Sequence, residues 1–511
     1  MQQTHFVAAA WLLACALPVL AEEPHSHPAP ERLGAVAFPT SCAPGVQPGF
    51  QRGVALLHSF AYAASEEAFR AVAAADPACA LAHWGVSMSY FHQLWDPPGA
   101  EDLRSGLEQI ELARRLGSGS LRERQFIDAA AAYYRDSDRL PHAARALAYE
   151  HAMADVARSN PEDVEAQIFY ALALIATAPP ADRSHANQKR ASEILEPLYR
   201  RLPEHPGLAH YLIHAYDSAE LAPRGLGAAR AYSKIAPSAP HALHMPSHIF
   251  TRLGYWDDSI ASNQAARSAA HAAGDVGEEL HAMDYLTYAY LQRGRAADAE
   301  RIVADLRAMN ALPTDQFKVG YAATAMPVRL VVERQQWSAA AALELAAPSV
   351  PSAPHVAAIV HWARAIGHAR SGHPQEAQSD LARLDACLQQ LRSSGDAYWA
   401  TQTQVLSEEA QGWLMKAQGM DAEGLRLLRS AADREDAVEK LPVTPGPVVP
   451  AREQLGEMLL ELKRPAEALR EFRSALRGAP GRRGALSGGL RSAELVGDEG
   501  TAARLRAQLS R

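Results

Sequence analysis

No glycine-rich phosphate loop, no dinucleotide fingerprint and no nucleophile elbow occurs in the 511 residues. Nucleotide cofactors and serine-elbow hydrolysis therefore have no signature here. Basic runs are also lacking: 50 Lys and Arg stand against 58 Asp and Glu, for a net charge of -8. Nucleic-acid binding needs a clustered cationic footprint, and its absence argues against that partner. No stretch alternates as a strand does. Cysteine is scarce, with four residues in all.

Long apolar runs are missing as well, apart from Phe6 to Leu20. That run is too short to span a bilayer, and Val19-Leu20-Ala21 offers small residues for cleavage before Glu22, so residues 1–21 read as a signal peptide. The expected location is periplasmic or secreted, with no transmembrane segment in the mature chain. Leu12-Leu13-Ala14-Cys15 offers the alternative of a lipoprotein anchor at Cys15. Residues 22–44, rich in Pro, Glu and His without apolar period, read as a disordered lead-in. His25 and His27 lie in it and are assigned nothing.

What the chain does have is alanine, 48% hydrophobic residues in all, and histidine. Alanine favours helix throughout. Eight histidines (His205, His210, His214, His241, His244, His248, His271 and His281) crowd into 77 residues. Pro206 and Pro240 stand 34 residues apart, and so do His210/His244 and His214/His248. Two successive units thus carry the same i, i+4 histidine pair.

A period of 34 is that of a helix-turn-helix repeat. Near the end of the chain Leu455, Gly456, Leu459, Ala468, Phe472, Ala475 and Pro480 follow its internal pattern, as do Gly53, Leu56, Phe69 and Pro77 near the start. The chain resembles the tetratricopeptide repeat family over roughly residues 45 to 510. The resemblance implies an all-α solenoid, a right-handed superhelix of about twelve helical hairpins, whose concave face is lined by the first helix of each pair. Repeats would run through 45–440 with the histidines on the concave face, pause at the Pro-rich loop 441–450, and resume in 451–511. Four prolines forbid a helix in that loop, which is either a linker or a segment folded into the groove.

Removal of the leader leaves Cys42, Cys79 and Cys387. In an oxidising compartment a Cys42–Cys79 disulfide would tie the lead-in to the second repeat, with two free thiols as the alternative. Cys387 is the odd one and should be buried.

Counted along the repeat, His210 and His244 share one position and His214 and His248 another. His58 and His92, also 34 apart, fall on the same narrow stripe at 100° per residue. Two histidines at i, i+4 can share one ion, and an adjacent repeat supplies more ligands without a special loop. The expected metal ligands are His214, His244, His248 and His281, joined by His210 and His58. Zinc or copper is the candidate, with iron behind them. The segment HALHMPSH has no Glu between His244 and His248, so it is not a zincin motif, and Pro246 should kink it. His92, His241, Arg252, Asp284 and Tyr288 are expected to contact a ligand, Arg252 through a substrate carboxylate or else paired with Asp257 or Asp258. His271 falls on a second helix, outside the stripe. His355, His361 and His368 read as an Ala-rich buried face, and Trp84, Trp95 and Asp96-Pro97-Pro98 as the packed end of the second unit.

Two classes of function follow. One is a binding or scaffold protein holding a peptide or protein partner in the groove, with or without metal. The other is a metalloenzyme with an open coordination position, assisted by Asp217, Asp284, Tyr288 or Glu435. A closed four-ligand site would favour the first, and an open site beside a deep pocket the second.

Overall fold

The computed structural model describes residues 31–94, 97–345, 353–441 and 443–510. The leader, the first part of the lead-in, Trp95 and Asp96 lie outside the described residues. Among those described, every regular element is helical, from Gln47–His58 to Glu499–Leu509. The described residues from Arg32 onward form one unit. Successive helices pair as hairpins, and each packs on its sequence neighbours. No described helix is long and apolar enough to cross a membrane.

The repeat glycines explain how closely the paired helices approach. A Cβ at Gly53 would stand 2.8 Å from the Phe69 ring, and one at Gly456 would stand 2.8 Å from Phe472. In both units the aromatic of the second helix occupies the space that a side chain on the first would need. Hydrogen replaces a methyl there, and two helices interlock.

The lead-in departs from its expected disorder. From Arg32 onward it packs: Leu33 and Phe38 are buried, and the Ala35 N–H donates to the Glu204 carbonyl. Phe38 sits 5.3 Å from Phe50, 5.2 Å from Phe126 and 5.5 Å from Trp84, ring centre to ring centre. Burying one such ring contributes about 1.5–3 kcal/mol toward holding the extended segment. Two isolated anchors have no period, so composition alone hid them. Cys42 and Cys79 are bonded, with S–S 1.98 Å, and Cys387 is a buried free thiol.

The Pro-rich segment is folded in rather than a free linker. Val443, Val448 and Val449 are buried, and Arg329 donates to the carbonyls of Gly446 (2.8 Å) and Pro447 (3.0 Å). Prolines leave carbonyls without competing N–H groups, and a buried guanidinium satisfies them.

Candidate metal centre

Four helices carry the histidines: Pro206–Ala215 (His210, His214), Pro240–His244 (His241, His244), Pro246–Leu253 (His248) and Val276–Gln292 (His281). Pro246, which has no N–H to give, divides what the repeat would make one helix into two at Met245. All six side chains are buried, between 0% and 5% exposed, so they face the interior and not an open groove.

They form two sets of three. His210, His214 and His241 present ligand atoms within 4.8 Å of one another, and so do His244, His248 and His281. His214 therefore belongs with the earlier pair and not with His244, His248 and His281. His241, expected among ligand-contacting residues, completes the first set. The two members of each i, i+4 pair meet Nε2 to Nε2, at 3.0 Å in His210/His214 and 3.0 Å in His244/His248.

The outer nitrogens fix the protons. His248 Nδ1 lies 2.9 Å from Asp217 Oδ2, and His241 Nδ1 lies 3.1 Å from Glu278 Oε2. His210 Nδ1 donates to the His58 carbonyl at 2.6 Å. His244 Nδ1 meets Asn263 Oδ1 at 2.6 Å, while the Asn263 amide nitrogen donates to the Ser259 carbonyl, which makes the facing atom the oxygen. Each of these four rings must carry its hydrogen on Nδ1, so a neutral ring offers a lone pair at Nε2. In the second set this places two lone pairs tip to tip at 3.0 Å.

Burial lowers the pKa of His210, His214, His244 and His281 well below the ordinary value, and neighbouring imidazoles add to it. Burial also lowers His248, against the pull of Asp217. Five of the six rings are thus biased toward the neutral, ligating form.

Asp217 is itself held. Arg252 donates to its Oδ1 (2.8 Å) and its backbone carbonyl (2.9 Å), and Lys440 approaches Oδ2 at 3.3 Å. Arg252 pairs further with Glu439 at 2.8 Å and not with Asp257 or Asp258. Its role is to orient the carboxylate that orients His248.

The remaining expected residues fall elsewhere. The His58 ring bonds Glu165 (2.8 Å) and Tyr211 (2.9 Å), and Glu165 also meets His205 at 3.0 Å, so His58 gives the first set its carbonyl while its ring stands in a separate buried group with Glu165 and His205, ligand atoms within 4.8 Å of one another. His92 stacks on Tyr62, 4.1 Å between centres. Asp284 is taken by Arg329 (3.0 Å), Tyr288 accepts from Arg482 (3.2 Å), and Glu435 accepts from the Ala451 N–H (2.9 Å). The exposed His271 pairs with Glu279, away from both sets. His355, His361 and His368 are likewise separate: His355 stacks on Trp399, and His361 bonds Asp380.

Sequence reasoning missed Tyr285, one turn after His281, whose ring lies 4.8 to 5.3 Å from all three rings of the second set. Its hydroxyl is 3.4 Å from His248 Nε2 and donates to the Thr444 carbonyl at 3.2 Å. The i, i+4 spacing from His281 was the available signal. Phe60, held at φ +52°, is its counterpart on the first set, 4.4 to 5.7 Å from the three rings. Thr444, in the Pro-rich segment, also lines a cleft of about 600 Å³, together with Arg252, Tyr321, Tyr398 and Trp399.

No family model matches this chain, and no curated protein does. Among solved structures it is similar to a human IFIT1 dimer with PPP-AAAA, at 13% identity and TM-score 0.40, covering 84% of this chain and 90% of that one. It is also similar to the APC/C hetero-tetramer Cut9–Hcn1, at 10% identity and TM-score 0.36, covering 88% and 76%. The likeness is one of helical build and says nothing of what this chain binds.

Proposed function

We propose that the protein is an exported metalloprotein whose two tri-histidine sets hold a transition metal, zinc or copper, for chemistry on a small ligand. One observation carries this reading. His244 and His248 both keep their hydrogens on Nδ1 and aim bare Nε2 atoms at each other across 3.0 Å. Two acceptors so placed repel unless a cation lies between them. Two nitrogens each about 2.0–2.1 Å from one ion stand about 3.3 Å apart at a tetrahedral angle, which is close to the separation here. A histidine that donates its other N–H to a carboxylate or carbonyl is the usual companion of a metal.

Three protein ligands per set leave a coordination position for a small ligand, the pattern of catalytic and not structural sites. The cleft lined by Thr444 and Arg252 supports the enzyme reading over a closed storage site. The leader read from the sequence supports export.

Elemental analysis of periplasmic protein tests the proposal. Stoichiometric zinc or copper, reduced on His248→Ala with helicity retained, is expected. Metal-free protein after growth with both metals supplied overturns it, and a partner captured only by the parent chain would then favour the scaffold reading.

A further inference from the structure

The two sets lie against each other. The His214 ring is 6.1 Å from that of His248, and the His241 ring is 6.1 Å from that of His244, so each set meets the other at two points. The repeat is the cause: the same i, i+4 pair recurs one unit later, and adjacent units pack side by side. Each set also has its own aromatic wall, Phe60 on the first and Tyr285 on the second. Phe60 holds its place in a left-handed backbone conformation that a bulky residue seldom adopts, and such strain persists only where the surroundings enforce it.

The outer bonds have the same sense in both sets. His210 and His241 are anchored through Nδ1 to the His58 carbonyl and Glu278, and His244 and His248 to Asn263 and Asp217. Four anchors, the His58 carbonyl, Glu278, Asn263 and the loop residue Asp217, leave four Nε2 atoms without a hydrogen. No carboxylate belongs to either set of three, so both are neutral donor sets of the same kind.

We propose that the two sets form a single dinuclear centre, binding two metal ions per chain with one solvent-derived oxygen, water or hydroxide, between them. This rests on the metal reading above and adds stoichiometry and a bridging ligand class. Paired ions in such centres stand about 3.5–4 Å apart, and a shared oxygen is then the shortest link between them. Three imidazoles on each side and one bridging oxygen complete four ligands per ion.

The test loads full-length mature protein, stripped with chelator, with Cu(II) alone. Bound copper is counted after gel filtration, and unpaired spins are counted by electron paramagnetic resonance. Two coppers per chain with a spin count far below two is expected, because an oxygen bridge couples the two unpaired electrons. His241→Ala should leave one copper and one full spin. His281→Gln, in the other set, should do the same, and melting followed by circular dichroism identifies whichever variant is folded. Two coppers that count as two independent spins, or one copper per chain in the parent, overturn the dinuclear centre while the metal reading stands. Absence of bound copper, and of bound zinc in a parallel loading with Zn(II), overturns both.

Discussion

Nε2 of His244 and Nε2 of His248 face each other across 3.0 Å while both rings give their only hydrogen outward, to Asn263 and to Asp217. Neither nitrogen has a proton to offer the other in the neutral state. A pair of histidines placed for packing alone would instead alternate donor and acceptor.

Asp217 is therefore the outer residue whose change should be felt most. Asp217→Asn keeps the shape but removes the charge that holds the hydrogen on His248 Nδ1. Metal affinity should fall about 10- to 100-fold. Competition with a chromophoric chelator measures this, and an unchanged affinity would show that His248 is not a ligand.

Metal should stabilise the fold by mass action. At a free concentration about 100 times the Kd, binding to the native state alone contributes about 2.7 kcal/mol. Thermal melts with and without chelator would reveal it as a raised Tm, and coincident melts would count against a buried site.

Acid should weaken both binding and fold. Affinity should drop below about pH 6, where protons compete for imidazole. Away from the centre, burial pushes His142 and His355 down to about 4 each. The unfolded chain titrates these groups near 6.5, so between about 6.5 and 4 it binds protons the folded chain refuses, and stability falls as pH drops through that window. A His142→Gln, His355→Gln double variant should lose less stability there than the parent. An identical pH profile would assign acid sensitivity to other groups.

The Cys42–Cys79 bond closes a segment with a sequence separation of 37, and breaking it should cost about 3–4 kcal/mol in the loop-entropy account. Exported chain should show one thiol when unfolded, Cys387, and three after reduction. Hydrogen exchange in Cys42→Ser should quicken over the first two hairpins and little beyond, since a stack of repeats passes stability only between neighbours. Uniform quickening along the chain would contradict that.

A methyl at Gly456 would press on Phe472 at 2.8 Å. Gly456→Ala should cost about 1–3 kcal/mol by overpacking, despite the better helix propensity of alanine. Denaturant unfolding checks the sign, and a gain in stability would mean the Phe472 ring yields.

Residue order by itself determined the helical class, the 34-residue repeat and the recurrence of the i, i+4 pairs His210/His214 and His244/His248, because period and spacing are properties of a single strand of text. It also pointed to His281, since a repeat places its next helix alongside. Tertiary structure alone decided how the six histidines divide. The His241 ring packs 5.0 Å from that of His210, so it joins the earlier pair, and His214 goes with it and not with His248's set. Nothing in spacing distinguishes a ring that reaches its neighbour from one, like that of His58, taken by Glu165 107 residues away. Nor could spacing reveal that Arg252, Asp284 and Tyr288 are already paired with Asp217, Arg329 and Arg482. A buried charge must find a partner, and which one it finds depends on distances that only the packed helices set.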